Sequence, residues 1–318
     1  PPRSTLFPYT TLFRSTIARI VIQDLPTTPA IAEAYNTGKK HLTDYYIQAT
    51  FKWYGMLTIF LAVEVAQLVP PMISKVAGSY AGAAWMIPYL LISRIFIGPV
   101  HFSDGVQQGC DKPEYAAYSL AVQMIGRAIA FYFLLAPNML PSMIENYNTA
   151  IAYLLADLPS ILAKNVFAWW IIDRKLIKVK INWWQTIGAP ILSVLPLIPV
   201  NSLILFFFNK YATSLWVTVV IAILCLVFLL FLAPSIFVFP MLGLVGGWDS
   251  RGLQHLKEAA EISGPSKFLT MALYKGAQWG HDHSPLKKFG EKLRIPYEAA
   301  DLEAAELYSA RLKALEKN

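Results

Sequence analysis

The apolar residues of this chain fall in blocks of about twenty, the length an α-helix needs to cross a roughly 30 Å hydrocarbon layer. No other feature limits the fold as strongly. Inside such a layer every backbone N–H and C=O must be satisfied by the protein itself, and a helix does this within one segment. Ten-residue stretches of strict in–out alternation, the mark of a membrane β-barrel, are absent from the sequence. Composition agrees: 56% of residues are hydrophobic and 15% charged, with a mean hydropathy of +0.45. Soluble domains carry about 25% charged residues. The expected fold class is therefore an all-α integral membrane protein.

Six spans are expected, at about 51–69, 81–100, 115–136, 149–172, 184–208 and 213–237. The first is opened by Lys52, Trp53 and Tyr54 and closed by Pro70-Pro71, and the fourth ends in Trp169-Trp170. Aromatic pairs of this kind suit the headgroup level. Beyond the sixth span, PSIFVFPMLGLVGGW stays apolar, but Pro234 and Pro240 argue against one straight extension. It reads as a kinked end lying at the interface, or as a seventh half-span.

Loop charge sets the orientation. Lys39, Lys40 and Lys52 precede the first span, Lys112 lies between the second and third, and Arg174, Lys175, Lys178 and Lys180 lie between the fourth and fifth. The opposite side has Lys75 and Lys210, and 137–147 has no basic residue. The positive-inside rule then places both ends in the cytoplasm of a multi-pass cell-membrane protein, in keeping with an even number of spans. The net charge of +7 and pI near 9.2 reside in loops and tail, which suits an anionic membrane face rather than nucleic acid. Cys110 and Cys225 offer neither a disulfide framework nor a metal-ligand spacing and read as small apolar fillers.

Residues 1–16, PPRSTLFPYTTLFRST, have no helical period and no signal-peptide architecture; they read as a translated sequencing adapter joined to a truncated gene. Residues 17–50 form a cytoplasmic linker or interfacial segment, 51–247 the six-helix transmembrane lobe, and 248–318 a cytoplasmic helical tail. Within the tail, 251–294 carries eight Lys/Arg against four Asp/Glu, and 295–318 three against five. SKFLTMALYKGAQW mixes basic and aromatic residues at helical spacing, as a helix lying on the cytoplasmic leaflet does. EAADLEAAELYSARLKALEK reads as a plain soluble helix with a solvated charged face.

Charges inside spans are costly and are functional candidates for that reason. Glu64 and Arg127 lie about twelve residues in from the cytoplasmic ends and Asp157 about fifteen, a broadly similar depth at 1.5 Å per residue. Arg94 and Lys164 form a shallower cationic layer. Asp157 and Lys164 are seven apart and share one helix face. Two readings stand side by side. In one, cations hold an anionic headgroup while Glu64 and Asp157 couple to H⁺ or Na⁺. In the other the same residues form structural ion pairs such as Glu64–Arg127, with Lys164 and Arg94 snorkelling. Pro88, Pro159, Pro190, Pro196 and Pro199 interrupt spans as hinges or as structural kinks. Asn165 and Asn201 suit interhelical hydrogen bonds.

Signals for an enzyme are poor, and no cofactor is expected. There is no GxxxxGK[ST], no Ser/His/Asp or HExxH arrangement, and no paired acidic motif within the spans. His281-Asp282-His283 has metal-ligand residue types but no convincing partner set, so no metal is expected.

The segment PAIAEAYNTGKKHLTDYYIQATFKW, followed by a span and a double proline, resembles the start of the second lobe in the multidrug/oligosaccharidyl-lipid/polysaccharide exporter superfamily, in its polysaccharide flippase branch. AGSYAGAAWMIPYLLISRIFIGPVHFSDGVQQGCDKPEYAAYS resembles the next helix and its Gly-rich turn. The resemblance covers roughly 26–247 and is one of pattern and order. It implies one lobe of a MATE-like bundle, alternating access, and flipping of lipid-linked oligosaccharide or polysaccharide precursors. It also implies a partner in a missing N-terminal lobe, making this chain a C-terminal half unable to transport alone. By role and depth, Arg94, Arg127 and Lys164 are the expected headgroup ligands. The competing readings are a cation-coupled multidrug exporter of the same superfamily, centred on Glu64 and Asp157, and a membrane scaffold or enzyme subunit whose tail recruits partners.

Overall fold

The computed structural model describes residues 27–76, 81, 84, 86–135, 149–212, 214–292 and 297–315. The adapter-like residues 1–16 and the 137–147 loop lie outside the described residues. The helices are α1 (Thr28–Asn36), α2 (Lys40–Val76), α3 (Met86–Gly109), α4 (Pro113–Leu135) and α5 (Thr149–Ile171). They continue with α6 (Ala189–Val194), α7 (Leu197–Tyr211), α8 (Leu215–Val227) and α9 (Phe239–Leu244). The tail supplies α10 (Ser250–Glu261), α11 (Lys267–Asp282), α12 (Lys287–Lys292) and α13 (Tyr297–Leu315). No strand occurs among the described residues.

Five helical stretches are long and apolar enough to cross a membrane: Lys40–Val76, Met86–Gly109, Pro113–Leu134, Leu155–Leu176 and Trp184–Tyr211. They correspond to the first five expected spans. The sixth enters only as two shorter apolar stretches, Trp216–Cys225 and Pro234–Leu244. Its backbone is nevertheless helical without a break over 215–244. What joins the pieces is a pair of π-turns, Phe228–Leu232 and Pro234–Val238.

Three of the four π-turns among the described residues share a cause that the fourth, Ile172–Leu176, lacks. A proline inside a helix lacks an N–H and its ring collides with the carbonyl four residues back. The residue four before Pro234 is Leu230, inside the turn Phe228–Leu232; four before Pro240 is Ile236, inside Pro234–Val238. Four before Pro190 is Thr186, inside a third π-turn, Trp184–Gly188. In each case the wider i→i+5 turn moves that carbonyl aside and the helix continues. The stretch expected as a kinked interfacial end or a seventh half-span is thus helical as far as Leu244. Pro234, Val238, Phe239, Pro240, Leu242 and Gly243 are buried inside the molecule.

Pro70-Pro71 do not close the first span either. Helix α2 runs 37 residues, about 55 Å at 1.5 Å per residue, and carries both prolines in its last two turns. It begins at Lys40, so part of the expected linker belongs to it. It is the central mast, touching α1, α3, α6, α7, α8 and α13. Glycines set the closest approaches. A Cβ on Gly55 would stand 2.0 Å from the Thr186 carbonyl oxygen, the one displaced by Pro190. A Cβ on Gly98 of α3 would collide with the Tyr54 ring at 1.7 Å.

The tail is not the solvated appendage expected from its charge. Tyr297, Ala300 and Ala304 of α13 are buried in a cluster with Ile31, Tyr45, Phe51, Phe102 and Ile172. Glu303 accepts a 2.7 Å hydrogen bond from the Leu42 N–H in the first turn of α2, and Glu306 pairs with Lys39. Helix α11 buries Thr270, Leu273, Ala277, Gly280 and His281. Its Gly276 and Gly280 form a G-x-x-x-G pair that lets the backbone press on α9. Cβ atoms there would stand 2.6 Å from the Ser235 oxygen and 1.9 Å from the Pro240 oxygen. Helices α1 and α13, near the two ends of the described chain, thus pack into one cluster.

Candidate functional site

Three polar centres lie between the long helices, and they differ in one respect: two are neutralised and one is not. The first joins α3 to α5. Lys164, 4% exposed at its side chain, reaches Asp104 at 2.7 Å. Around it, Asn165 donates to the Phe96 carbonyl at 2.8 Å, and the Gln107 amide stands 3.5 Å from the Ala168 carbonyl. In a low-dielectric layer these bonds tie two helices that apolar contact alone would leave free to slide. The second joins α4 to α5, where Arg127 is paired with Asp157. Asp157 also faces Tyr89 of α3.

These contacts revise the expected pairing. Glu64 is not the partner of Arg127. Asp157 and Lys164 share a face of α5 but turn to different neighbours, α4 and α3. Of the cations expected to hold a headgroup, Arg127 and Lys164 are each committed to a carboxylate, and the side chain of Arg94 lies outside the described residues.

The third centre is Glu64. Its side chain is wholly buried (0% exposed), and it forms no ion pair among the described residues. It lies twelve residues, about 18 Å, along α2 from Lys52, near the middle of a 30 Å layer. One turn further, Gln67 shares its face. Gln67 donates to the Ile198 carbonyl at 3.0 Å and accepts from Asn201 Nδ2 at 3.0 Å. Asn201 is the polar neighbour of the Glu64 carboxyl, and its own Oδ1 is buried without a partner. The Glu64 carboxyl is thus desolvated, with the Asn201 amide as its hydrogen-bonding neighbour and no cation paired with it among the described residues. A carboxyl so placed needs a proton or a cation brought to it, since a bare charge in that medium costs many kcal/mol. The turn between α6 and α7, at Pro196 and with Pro199 in the first turn of α7, lies beside it, since Gln67 bonds to Ile198 there.

A fourth polar pair lies at the tail. Lys52 Nζ is 2.6 Å from Asp249 Oδ1, with side-chain exposures of 9% and 1%. Asp249 also caps α10, accepting from the Gly252 N–H at 3.3 Å. Lys52 Nζ sits 5.4 Å from the Trp248 ring centre, and Trp248 packs edge-on against Trp53 at 5.5 Å. A small cleft of about 20 Å³, water-sized, opens here between Tyr45, Lys52, Trp248, His255 and Tyr297. Burial would raise the Asp249 carboxyl, but Lys52, Tyr297 and the Gly252 N–H outweigh it and hold it below its ordinary 3.8. His255 is lowered below its ordinary 6.5, first by burial and then by Arg251.

Sequence reasoning found Glu64 by depth but missed Gln67, Asp104 and Asp249. Gln67 was legible as the i+3 neighbour of Glu64. Asp104 and Asp249 stand at span edges, where an acidic residue is unremarkable until its partner is known. The buried cysteines, Cys110 and Cys225, form no disulfide. Among the described residues no three His, Cys, Asp or Glu side chains converge as a metal site. Comparison with family models, with curated proteins and with solved structures finds no match to this chain.

Proposed function

We propose that this chain is one lobe of a membrane transporter in which Glu64, backed by Gln67 and Asn201, carries the coupling proton or cation. The observation that carries the reading is a carboxylate buried at mid-span with no counter-charge, beside a proline-broken helix. A structural carboxylate would have been paired, as Asp104 and Asp157 are. Unpaired, its charge state must change with what arrives, and a helix break beside it can convert that change into motion. The cargo expected from the resemblance is a lipid-linked oligosaccharide, moved across the cell membrane by alternating access.

One observation favours the second reading, a cation-coupled multidrug exporter of the same superfamily. Arg127 and Lys164 are already neutralised, which weakens a cationic headgroup cavity and leaves a carboxylate as the dominant group.

The test reconstitutes this chain with the N-terminal lobe in proteoliposomes under an imposed H⁺ or Na⁺ gradient. Flipping of a fluorescent lipid-linked oligosaccharide and efflux of a cationic dye are followed in parallel. Gradient-driven transport that Glu64→Gln abolishes supports the reading, and the cargo that moves decides between its two forms. Gradient-driven transport untouched by Glu64→Gln would sink it.

A further inference from the structure

Helix α11 runs side by side with the last apolar stretch and in the same direction. Gly276 meets Ser235, Gly280 meets Pro240, Ser284 donates to the Leu244 carbonyl at 2.7 Å, and Gly246 abuts Leu286. Its buried face is therefore spent on the bundle. The opposite face carries Phe268, Ala272, Lys275, Trp279 and His283, at spacings of four, three, four and four, one stripe of a helix. All five are exposed, Phe268 at 80% and Trp279 at 53%. A lone exposed aromatic means little. Here a phenylalanine and a tryptophan bracket a lysine on one stripe, beside a segment apolar enough for lipid. The Trp279 ring also lies against His283, tilted by 30° with centroids 4.9 Å apart.

Between Lys267 and His281 the charged side chains of the helix are all basic. Lys267 and Lys275 are exposed and form no ion pair among the described residues. The nearby acid Asp282 stands 3.9 Å from Lys287 and is thereby offset.

We propose that the outer face of α11 is a docking strip for anionic phospholipid. Phe268 and Trp279 enter the boundary between headgroups and acyl chains, and Lys267 and Lys275 hold headgroup phosphates. Aromatic rings and lysine stems are the side chains that tolerate that boundary, since each has an apolar body and a polar or charged tip. Each lysine near an anionic leaflet is worth on the order of a fivefold preference for anionic over neutral lipid. The strip would fix the tail against the membrane whatever the cargo, so it does not rest on the transport reading.

The test places an NBD fluorophore at Ala272→Cys of the full chain in lipid nanodiscs, the native thiols being buried. Quenching by doxyl-labelled phosphatidylglycerol is compared with quenching by doxyl-labelled phosphatidylcholine at equal mole fraction. The expected result is stronger quenching by the anionic lipid. The excess should shrink on the order of fivefold for Lys275→Gln and further for Lys267→Gln/Lys275→Gln, and Lys275→Arg should retain it. Equal quenching by the two lipids would overturn the headgroup assignment. No quenching by either would mean that the face meets water or protein, and would overturn the strip altogether.

Discussion

Removing the buried charge pair that fastens the tail to α2 should release α10 to α13 as a unit. Lys52→Met leaves the Asp249 carboxylate, 1% exposed, without its counter-ion. Breaking a buried pair in this way costs about 3–5 kcal/mol. Asp249→Ala leaves Lys52 equally stranded and also removes the α10 cap, which is worth about another 1 kcal/mol. Asp249→Asn keeps the cap, since Asn is as good a cap as Asp. It therefore isolates the charge, and should fall between wild type and Asp249→Ala. The double variant Lys52→Met/Asp249→Asn removes both charges and should recover most of the loss. The coupling in that cycle is expected to be at least about 2 kcal/mol. Hydrogen exchange of α10 and α13 in nanodiscs reads this directly, because about 3 kcal/mol of lost protection speeds exchange on the order of a hundredfold. If Lys52→Met leaves those amides within about twofold of wild type, the clasp is not electrostatic. Additive single effects in the double variant would likewise leave apolar contacts such as Tyr297 and Ala300 as the whole fastening.

Other consequences can be checked independently. Gly280→Ala should weaken the α9–α11 contact by about 1–3 kcal/mol, because a Cβ 1.9 Å from the Pro240 oxygen forces the backbones apart. Gly55→Ala should do the same at the Thr186 oxygen, and both read out as lowered thermal midpoints in detergent. For Arg127 and Asp157, either Arg127→Gln or Asp157→Asn alone should destabilise the α4–α5 pair more than the two together; strictly additive losses would argue against a structural pair. The His255 shift predicts a pH dependence of tail docking. Its folded value lies below 6.5, with Arg251, Glu258, Asp301 and Asp249 as the charges around it. The stability it contributes is complete above the unfolded 6.5 and is lost as pH falls through the lower folded value. Protection factors of α10, with exchange referred to the intrinsic rate at each pH, should therefore fall on acidification below pH 6.5, and His255→Phe should flatten that response. A second loss is expected only in stronger acid, as pH drops from 3.8 through the lower folded value of Asp249.

Much of this architecture can be read from the chain alone, because the apolar blocks and loop charges report a transfer free energy residue by residue. That local signal located the first five long helices. It misjudged the prolines and the tail. Pro234 and Pro240 read as a stop, yet π-turns one step upstream let the helix continue, and a π-turn has no signature in hydropathy. Helix α13 has the charge pattern of a solvated helix, yet its small residues Ala300 and Ala304 fit against α2 beside Tyr45. Alanine spacing within a charged helix is compatible with either outcome until a neighbour is present.

What tertiary structure alone decided is who neutralises whom. The sequence supplies Glu64, Asp157 and Arg127 at similar depths within the spans and Arg94 and Lys164 at a shallower level, and several pairings would satisfy the arithmetic. Packing chose Asp157 for Arg127, Asp104 for Lys164 and, across 197 positions, Asp249 for Lys52. Those choices depend on interhelical distances, as where Gly126 of α4 faces Ser160 and Ala163 of α5, which act at ångström scale and leave no trace in composition. The same choices left Glu64 without a partner. Its burial followed from the sequence; its isolation, which makes it a candidate for chemistry, followed from the fold.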